Sequence, residues 1–323
     1  MRLVPAMCAL LVAMALSARA EFIFDANVPF DPKVEKAIAR AQDWLAASQQ
    51  PNGSWGGCNG RNSLVILALM VNGTTPGHGK YGAKVSSGLD FLINSQHDNG
   101  YLVVGESGNM YQHALATLCL AEAYGMTHNP DIRESLIKAV QLIIKAQAPS
   151  GGWRYKPRPE DADLSVTVMQ IMALRACVES GIFVPKDTID LAIKFVKSVW
   201  NDQTHSFGYA SVDTGNFNRA AAGTVSLQSC GMLNDPVIPK AVAYMMKNCD
   251  YSAGSTMGWY GHYYASVALY HYGGESWKTY YPKICERVQK DWSQSGHYSD
   301  SLETAWAVLV LGVPYRYLPI YQR

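Results

Sequence analysis

Six stretches of this chain have the length of helices but no polar stripe, and this property constrains the fold more than any other. Residues 164–174 are typical: Leu164, Val166, Val168, Met169, Ile171, Met172 and Leu174 fall on every side of a helical projection. A helix that is apolar all round must be covered all round, as in the inner layer of a larger helical body. Each of the six ends in a glycine, at Gly73, Gly125, Gly181, Gly231, Gly273 and Gly312. A glycine just past a helix end takes the left-handed conformation that closes it, so these positions predict six C-termini roughly 40 to 55 residues apart.

Helices of a second kind lie between them. Val34, Ala37, Ile38, Ala41 and Leu45 form one stripe opposite Lys33, Glu35, Lys36 and Arg40, and Ile189, Ala192, Ile193 and Val196 oppose Lys186, Asp187, Asp190, Lys194 and Lys197. Such helices face water on one side. Asp31-Pro32, Asn129-Pro130 and Asp235-Pro236 place a capping side chain before a proline at their starts. Six water-facing and six covered helices in alternation are most simply arranged as two concentric rings, in which each inner helix has outer helices behind it and inner helices beside it. An open solenoid is the competing layout, but it needs polar caps on its terminal repeats, and the first and last repeats show no such asymmetry.

The turn from outer to inner helix recurs as well. Gln49, Gly53 and Trp55 share a spacing with Gln147, Gly151 and Trp153, and in part with Trp292, Gly296 and Tyr298; Gln96 to Tyr101 is a shorter relative. The glycine permits a positive φ, the glutamine can bond unpaired backbone groups, and the ring can pack over the turn. The fourth repeat, 201–209, is longer and irregular, and the fifth, 249–259, lacks the glutamine.

The first twenty residues read as a secretory signal: Arg2, an apolar run over 9–16, and Ala18-Arg19-Ala20 before a cut at Glu21. The expected mature protein is a single domain over 21–323, exported to the periplasm or beyond, with no later run long enough to span a bilayer. Lys plus Arg number 27 against 26 for Asp plus Glu, and without a basic tract nucleic acid is excluded as a partner. Outside the signal stand six cysteines, of which only Cys249 and Cys285 are candidates to pair; Cys119, Cys177 and Cys230 lie in apolar helical runs and read as small hydrophobes.

With its turn pattern the chain resembles the superfamily of terpenoid cyclases and protein prenyltransferase β-subunits. The pattern is similar to the QW repeat of squalene cyclases, and the likeness spans essentially all of the expected mature chain. The resemblance implies an all-α fold, the α6/α6 toroid of six helical hairpins, among bacterial prenyltransferase/squalene-oxidase-repeat proteins. Squalene-hopene-type cyclases protonate substrate with the middle aspartate of D-x-D-D. Asp161-Ala162-Asp163-Leu164 matches the first two aspartates and replaces the third by leucine. The resemblance therefore places Asp163 as a proton donor helped by Asp161, without the carboxylate that Leu164 replaces. The Asp-x-Cys pair that holds prenyltransferase zinc is absent, as is the Glu-Gln of thioester domains, so neither a metal nor another cofactor is expected.

The residues alone leave two duties open for Asp161 and Asp163. Acids just before an apolar helix commonly cap it, which lowers a carboxyl pKa; a donor needs it raised by burial or a neighbouring anion such as Glu160. Trp259, Tyr260, His262 and Tyr263 open the fifth inner helix with rings that can line a cavity or simply pack between helices. Tyr111 and His113, Arg219 and Glu303 hold comparable early-helix places in other repeats, so a closed ring would bring them to one mouth as candidate ligand-binding groups, and Tyr155 of the glycine-tryptophan turn is a further candidate. The expected function is binding of a hydrophobic, isoprenoid-type ligand in the central cavity, with protonation-initiated cyclisation as its chemistry. The rivals are a non-catalytic binding or scaffold protein of the cell envelope and a carbohydrate-active lyase or hydrolase using Asp161, Asp163 and Glu303.

Overall fold

A computed structural model of the chain describes residues 31–105, 108–158, 160–252 and 256–322. The expected signal over 1–20 lies outside the described residues. Among the described residues twelve α-helices follow in order: α1 (Pro32–Ala47), α2 (Asn59–Met70), α3 (Gly82–Asn94), α4 (Met110–Thr127), α5 (Pro130–Ala146), α6 (Leu164–Glu179), α7 (Lys186–Ser198), α8 (Phe217–Ser229), α9 (Val237–Asn248), α10 (Thr256–Tyr272), α11 (Gly274–Asp291) and α12 (Ser301–Gly312). The even-numbered helices pack each on the next, α2 on α4 and so on to α12, which packs back on α2. The odd-numbered helices lie behind them, so the fold is an α/α toroid: a closed double ring with no gap between the first and last hairpins.

Burial follows the hydrophobic pattern. In α1, Val34, Ile38, Ala41 and Leu45 are buried and Lys33, Glu35, Lys36 and Arg40 are exposed, whereas in α6 nearly every side chain from Leu164 to Cys177 is buried. Among the described residues no helix is long and apolar enough to cross a membrane. Cys249 and Cys285 do not pair; all six described cysteines are free thiols.

The recurring turn joins three consecutive elements. Gln147 Nε2 donates to the carbonyls of Gly151 (2.7 Å) and of Thr188 in the next outer helix (2.9 Å), and Trp153 Nε1 donates back to Ile143 (2.7 Å). Gln49 does the same with Gly53 and Lys84, and Gln96 with Gly100 and Ser135. Gly151 has φ of 99°, and a Cβ there would collide with the Leu191 carbonyl, so the glycine serves both the turn and its close approach to α7. The irregular fourth turn is a short antiparallel hairpin, β1 (Trp200–Asn201) with β2 (Ser206–Phe207).

The six glycines are not alike. Gly73, Gly181, Gly231 and Gly273 have positive φ, as expected for helix closure. Gly125 instead lies inside α4, which runs on to Thr127 and is closed by His128 at φ 52°. Gly312 has φ of −83°, and its missing side chain makes room for Val71 where the ring closes. Beyond it, residues 313–322 cross the far end of the toroid in two short 3-10 turns, and Leu318, Ile320 and Tyr321 are buried.

Candidate functional site

The inner helices all begin at the same end of the ring, and a cavity of about 460 Å³ lies at that mouth. Its wall is mainly apolar: Leu64, Leu115, Met169, Met257, Leu302 and Trp306 come from five different inner helices. Tyr111, Tyr155, Tyr209 and Tyr260 supply the rim and upper wall. The tyrosine positions follow from the repeat, because each turn reaches over the start of the preceding inner helix. The Tyr155 carbonyl accepts from Met110 N–H at the start of α4, and the Tyr209 carbonyl from Leu164 N–H at the start of α6. The two phenol oxygens are then 2.7 Å apart. The Tyr260 hydroxyl donates to the Ser165 carbonyl at 3.3 Å. Burial holds the Tyr111 and Tyr260 hydroxyls well above the ordinary phenol pKa, so both stay neutral donors.

Asp163 is the N-cap of α6, its Oδ1 accepting from Val166 N–H at 2.9 Å, and it is 0% exposed. Asn109, Asn216 and Asp300 cap α4, α8 and α12 in the same way. Asp163 differs from them in that its Oδ2 is buried, 3.7 Å from Arg154 Nε. Burial pushes its pKa up, while the Val166 N–H, the Tyr209 hydroxyl and the Arg154 guanidinium pull it back. Asp161, with its side chain 61% exposed, faces solvent and pairs with Arg154 Nη1 at 2.9 Å. Arg154 is held between the rings of Tyr155 and Tyr209, 5.7 Å from each centroid. Asp163 therefore lies behind the two tyrosines rather than on the cavity wall.

The remaining residues singled out from sequence divide between the mouth and the body of the ring. Tyr111, Tyr155 and Tyr260 meet at the cavity. His113 is fully buried between α4 and α5, its Nδ1 accepting from Leu102 N–H and its Nε2 facing the Ala139 carbonyl. Asn62, Thr167 and Thr304 hold the same place in their repeats, accepting from the backbone N–H of Trp55, Trp153 and Tyr298. His113 is thus the second repeat's version of a turn fastener. His262 points outward to Tyr280 and the Asp250 carbonyl. Burial lowers the pKa of both histidines to about 4, so they are neutral. Trp259 packs on His262 and Tyr298, away from the cavity. Arg219 pairs with Asp213 at 3.1 Å, and Glu303 stands near Tyr298. Tyr263 lies deeper, its ring 4.9 Å from that of Trp306.

Tyr209, Arg61, Leu64, Leu115, Met169, Met257 and Trp306, which also line the cavity, were not visible as site residues in the sequence. One signal could have found Tyr209: Phe207-Gly208-Tyr209 repeats the ring, one residue, tyrosine order of Trp153-Arg154-Tyr155. Among the described residues, no group of three or more His, Cys, Asp or Glu is placed to hold a metal ion.

No protein-family model matches the chain. No curated protein matches it in sequence. Among solved structures it is similar to the type II terpene cyclase MstE from Scytonema in complex with geranylgeranyl dihydroxybenzoate, with TM-score 0.63 and 13% identity over 88% of this chain and 98% of that one. It is similar to an α-1,6-mannanase from Salegentibacter, with TM-score 0.64 and 8% identity over 86% and 98% of the two chains. It is also similar to cellobiose 2-epimerase from Bacillus thermoamylovorans, with TM-score 0.63 and 12% identity over 88% and 99%. The shared property is the α/α toroid fold.

Proposed function

We propose that the protein is exported and binds a hydrophobic, isoprenoid-type molecule in the cavity at the toroid mouth. The observation that carries this reading is the wall: six apolar side chains from five inner helices enclose a volume within the range of small-molecule sites, roughly 300 to 1,000 Å³. Four tyrosines add faces for an apolar chain and hydroxyls for a single polar end. Arg61, Asn109, Gln112 and Ser165 stand with the tyrosines as the polar part of the lining, but the acids a glycan reaction would use are engaged elsewhere. Asp161 pairs with Arg154 and Asp300 with Arg61, while Asp163 is behind the tyrosines. The wall thus favours the lipid class over the glycan class among the ligands of toroid neighbours, and a filled pocket over a bare scaffold.

The buried Oδ2 of Asp163 supports a second reading, in which the bound alkene is protonated. The proton would leave Asp163, pass by the Tyr209 hydroxyl to an alkene carbon, and be returned when the resulting cation loses a proton, so no oxidant or cofactor is consumed. Capping uses Oδ1, and Oδ2 is left facing Arg154 and the Tyr209 hydroxyl, on the side toward the cavity rim.

Trp306 lines the cavity, so its emission reports occupancy. Titrating the protein lacking residues 1–20 with geranylgeraniol and with α-1,6-mannotriose tests the proposal. Saturable quenching by the alcohol that disappears in Met169→Trp or Leu115→Trp, which fill the cavity, is the expected result. Quenching by the sugar alone, or quenching by the alcohol unaffected by filling the cavity, overturns it.

A further inference from the structure

The end of the toroid opposite the mouth is crossed by residues 313–322, and nothing in the ligand reading uses that contact. Tyr317 packs over Gly73 and Pro319 approaches Gly125, so the segment spans the ends of α2 and α4. Its Ile320 N–H donates to both carboxylate oxygens of Glu122, at 3.2 and 3.4 Å. Glu122 projects from the inner helix α4 and is buried, an unusual place for a carboxyl group. Tyr321, also buried, neighbours Tyr263, whose ring packs on the cavity-lining Trp306. The segment is thereby in contact, through one layer of rings, with the underside of the ligand cavity.

We propose that residues 313–322 form a displaceable strap across the second mouth of the toroid, and that protonation of Glu122 holds it in place. The groups facing Glu122 offer an ionised carboxylate almost no compensation. They are Cys119 on α4, Cys177 and Glu179 on α6, Tyr263 on α10 and Tyr321 on the strap itself. The cation of that neighbourhood, Arg175, is paired with Glu179 at 2.6 Å. Burial, and to a lesser degree the Glu179 charge, push the Glu122 carboxyl up to about 8 against the pull of Ile320 N–H. Lifting the strap admits water and returns the group toward its ordinary value of 4.5. The docked state therefore holds more protons, is fully favoured below the ordinary carboxyl range, and loses that advantage as pH rises through about 8. Release opens the ring from below and loosens the ring layer on which Trp306 rests. This inference does not depend on which ligand the cavity holds.

Hydrogen exchange of the full chain, read by mass spectrometry on peptides covering 313–322 and corrected for the intrinsic pH dependence, tests it. Between about pH 5.5 and pH 8.5 the protection of the strap is expected to fall roughly tenfold or more, while the inner helices stay protected. In Glu122→Gln, which keeps the shape and cannot ionise, protection is expected to be flat across that range. A flat profile in the wild type, or the same slope in Glu122→Gln, overturns the proposal. Should Glu122→Gln not fold, Ile320→Pro removes the donor from the strap itself, together with one buried side chain, and leaves the inner helices unaltered. It is expected to free the strap at every pH with the helices still protected, and a strap that stays protected in this variant overturns the proposal as well.

Discussion

The hydroxyls of Tyr155 and Tyr209, 54 residues apart in sequence, meet 2.7 Å apart at the mouth of the toroid. They come from successive turns, each tied by its carbonyl to the start of the inner helix before it. Tyr155→Phe removes this bridge and keeps the rings. A neutral hydrogen bond contributes about 1 kcal/mol to the folded state, so Tyr155→Phe is expected to lower stability by about that much. Urea unfolding measures it.

Asp163 acts on stability through the cap whatever else it does. Asp163→Asn keeps an acceptor for Val166 N–H and is expected to be the milder change, while Asp163→Ala is expected to cost about 1 to 2 kcal/mol in urea unfolding. Because burial raises its folded pKa, the native state takes up a proton at Asp163 more readily than the unfolded chain does. The aspartate's contribution is largest below the ordinary carboxyl range and is lost as pH rises through the raised value. The asparagine variant should therefore show a flatter stability profile on the acid side than the wild type. Turnover of an alkene substrate that survives in Asp163→Asn would remove the protonation reading and leave the binding reading intact.

The two buried histidines set the acid limit of the fold. Each titrates near 4 in the native state and near 6.5 when exposed, so the unfolded chain binds protons first as pH falls. Stability is full above the unfolded value and is lost as pH falls through 4, by about 3 kcal/mol for each histidine at most. Thermal melts from pH 7 to pH 4 should show the decline, and His113→Asn, which can still accept from Leu102 N–H as Asn62 does from Trp55, should flatten it.

The glutamine turn is expected to be sensitive at both ends. Gln147→Ala leaves the carbonyls of Gly151 and Thr188 without their donor and should cost about 1 to 3 kcal/mol. Gly151→Ala meets a positive φ and the Leu191 carbonyl together, and should cost more than Gln147→Ala. Urea midpoints of the two variants rank them.

The ring was legible because its signals are periodic. All-round apolarity in α6, one-sided apolarity in α1 and the glutamine-glycine-tryptophan spacing each repeat, and repetition separates them from chance. The mouth was legible where a residue fell at the same early-helix place in several repeats, as Tyr111 and Tyr260 did, or in the recurring turn, as Tyr155 did. That rule also swept in His113 and His262, because the first turn of a helix has two sides. One faces the cavity and the other fastens the turn, and distinguishing them needs the helix rotation that packing fixes. Tyr209 escaped because its turn became a hairpin, and Trp306 because an indole within an apolar run carries no mark of facing a cavity. Glu122 escaped notice in the sequence, because the group it meets arrives from 198 residues away.

The joint between the sixth and first hairpins is made differently from the first three. Trp292 stands where those carry glutamine, and the outer contact is made by Arg40 reaching the Gln294 carbonyl at 3.3 Å and by Trp44 stacked on His297, with Arg61 paired to Asp300 at 3.0 Å further in. Both outer contacts lie near solvent, whereas the glutamine joints are anchored twice in backbone. A belt parts where it is not laced, so under load the circle should first come undone on the side running from the fourth hairpin round to α1, leaving the first four hairpins as an arc still tied together.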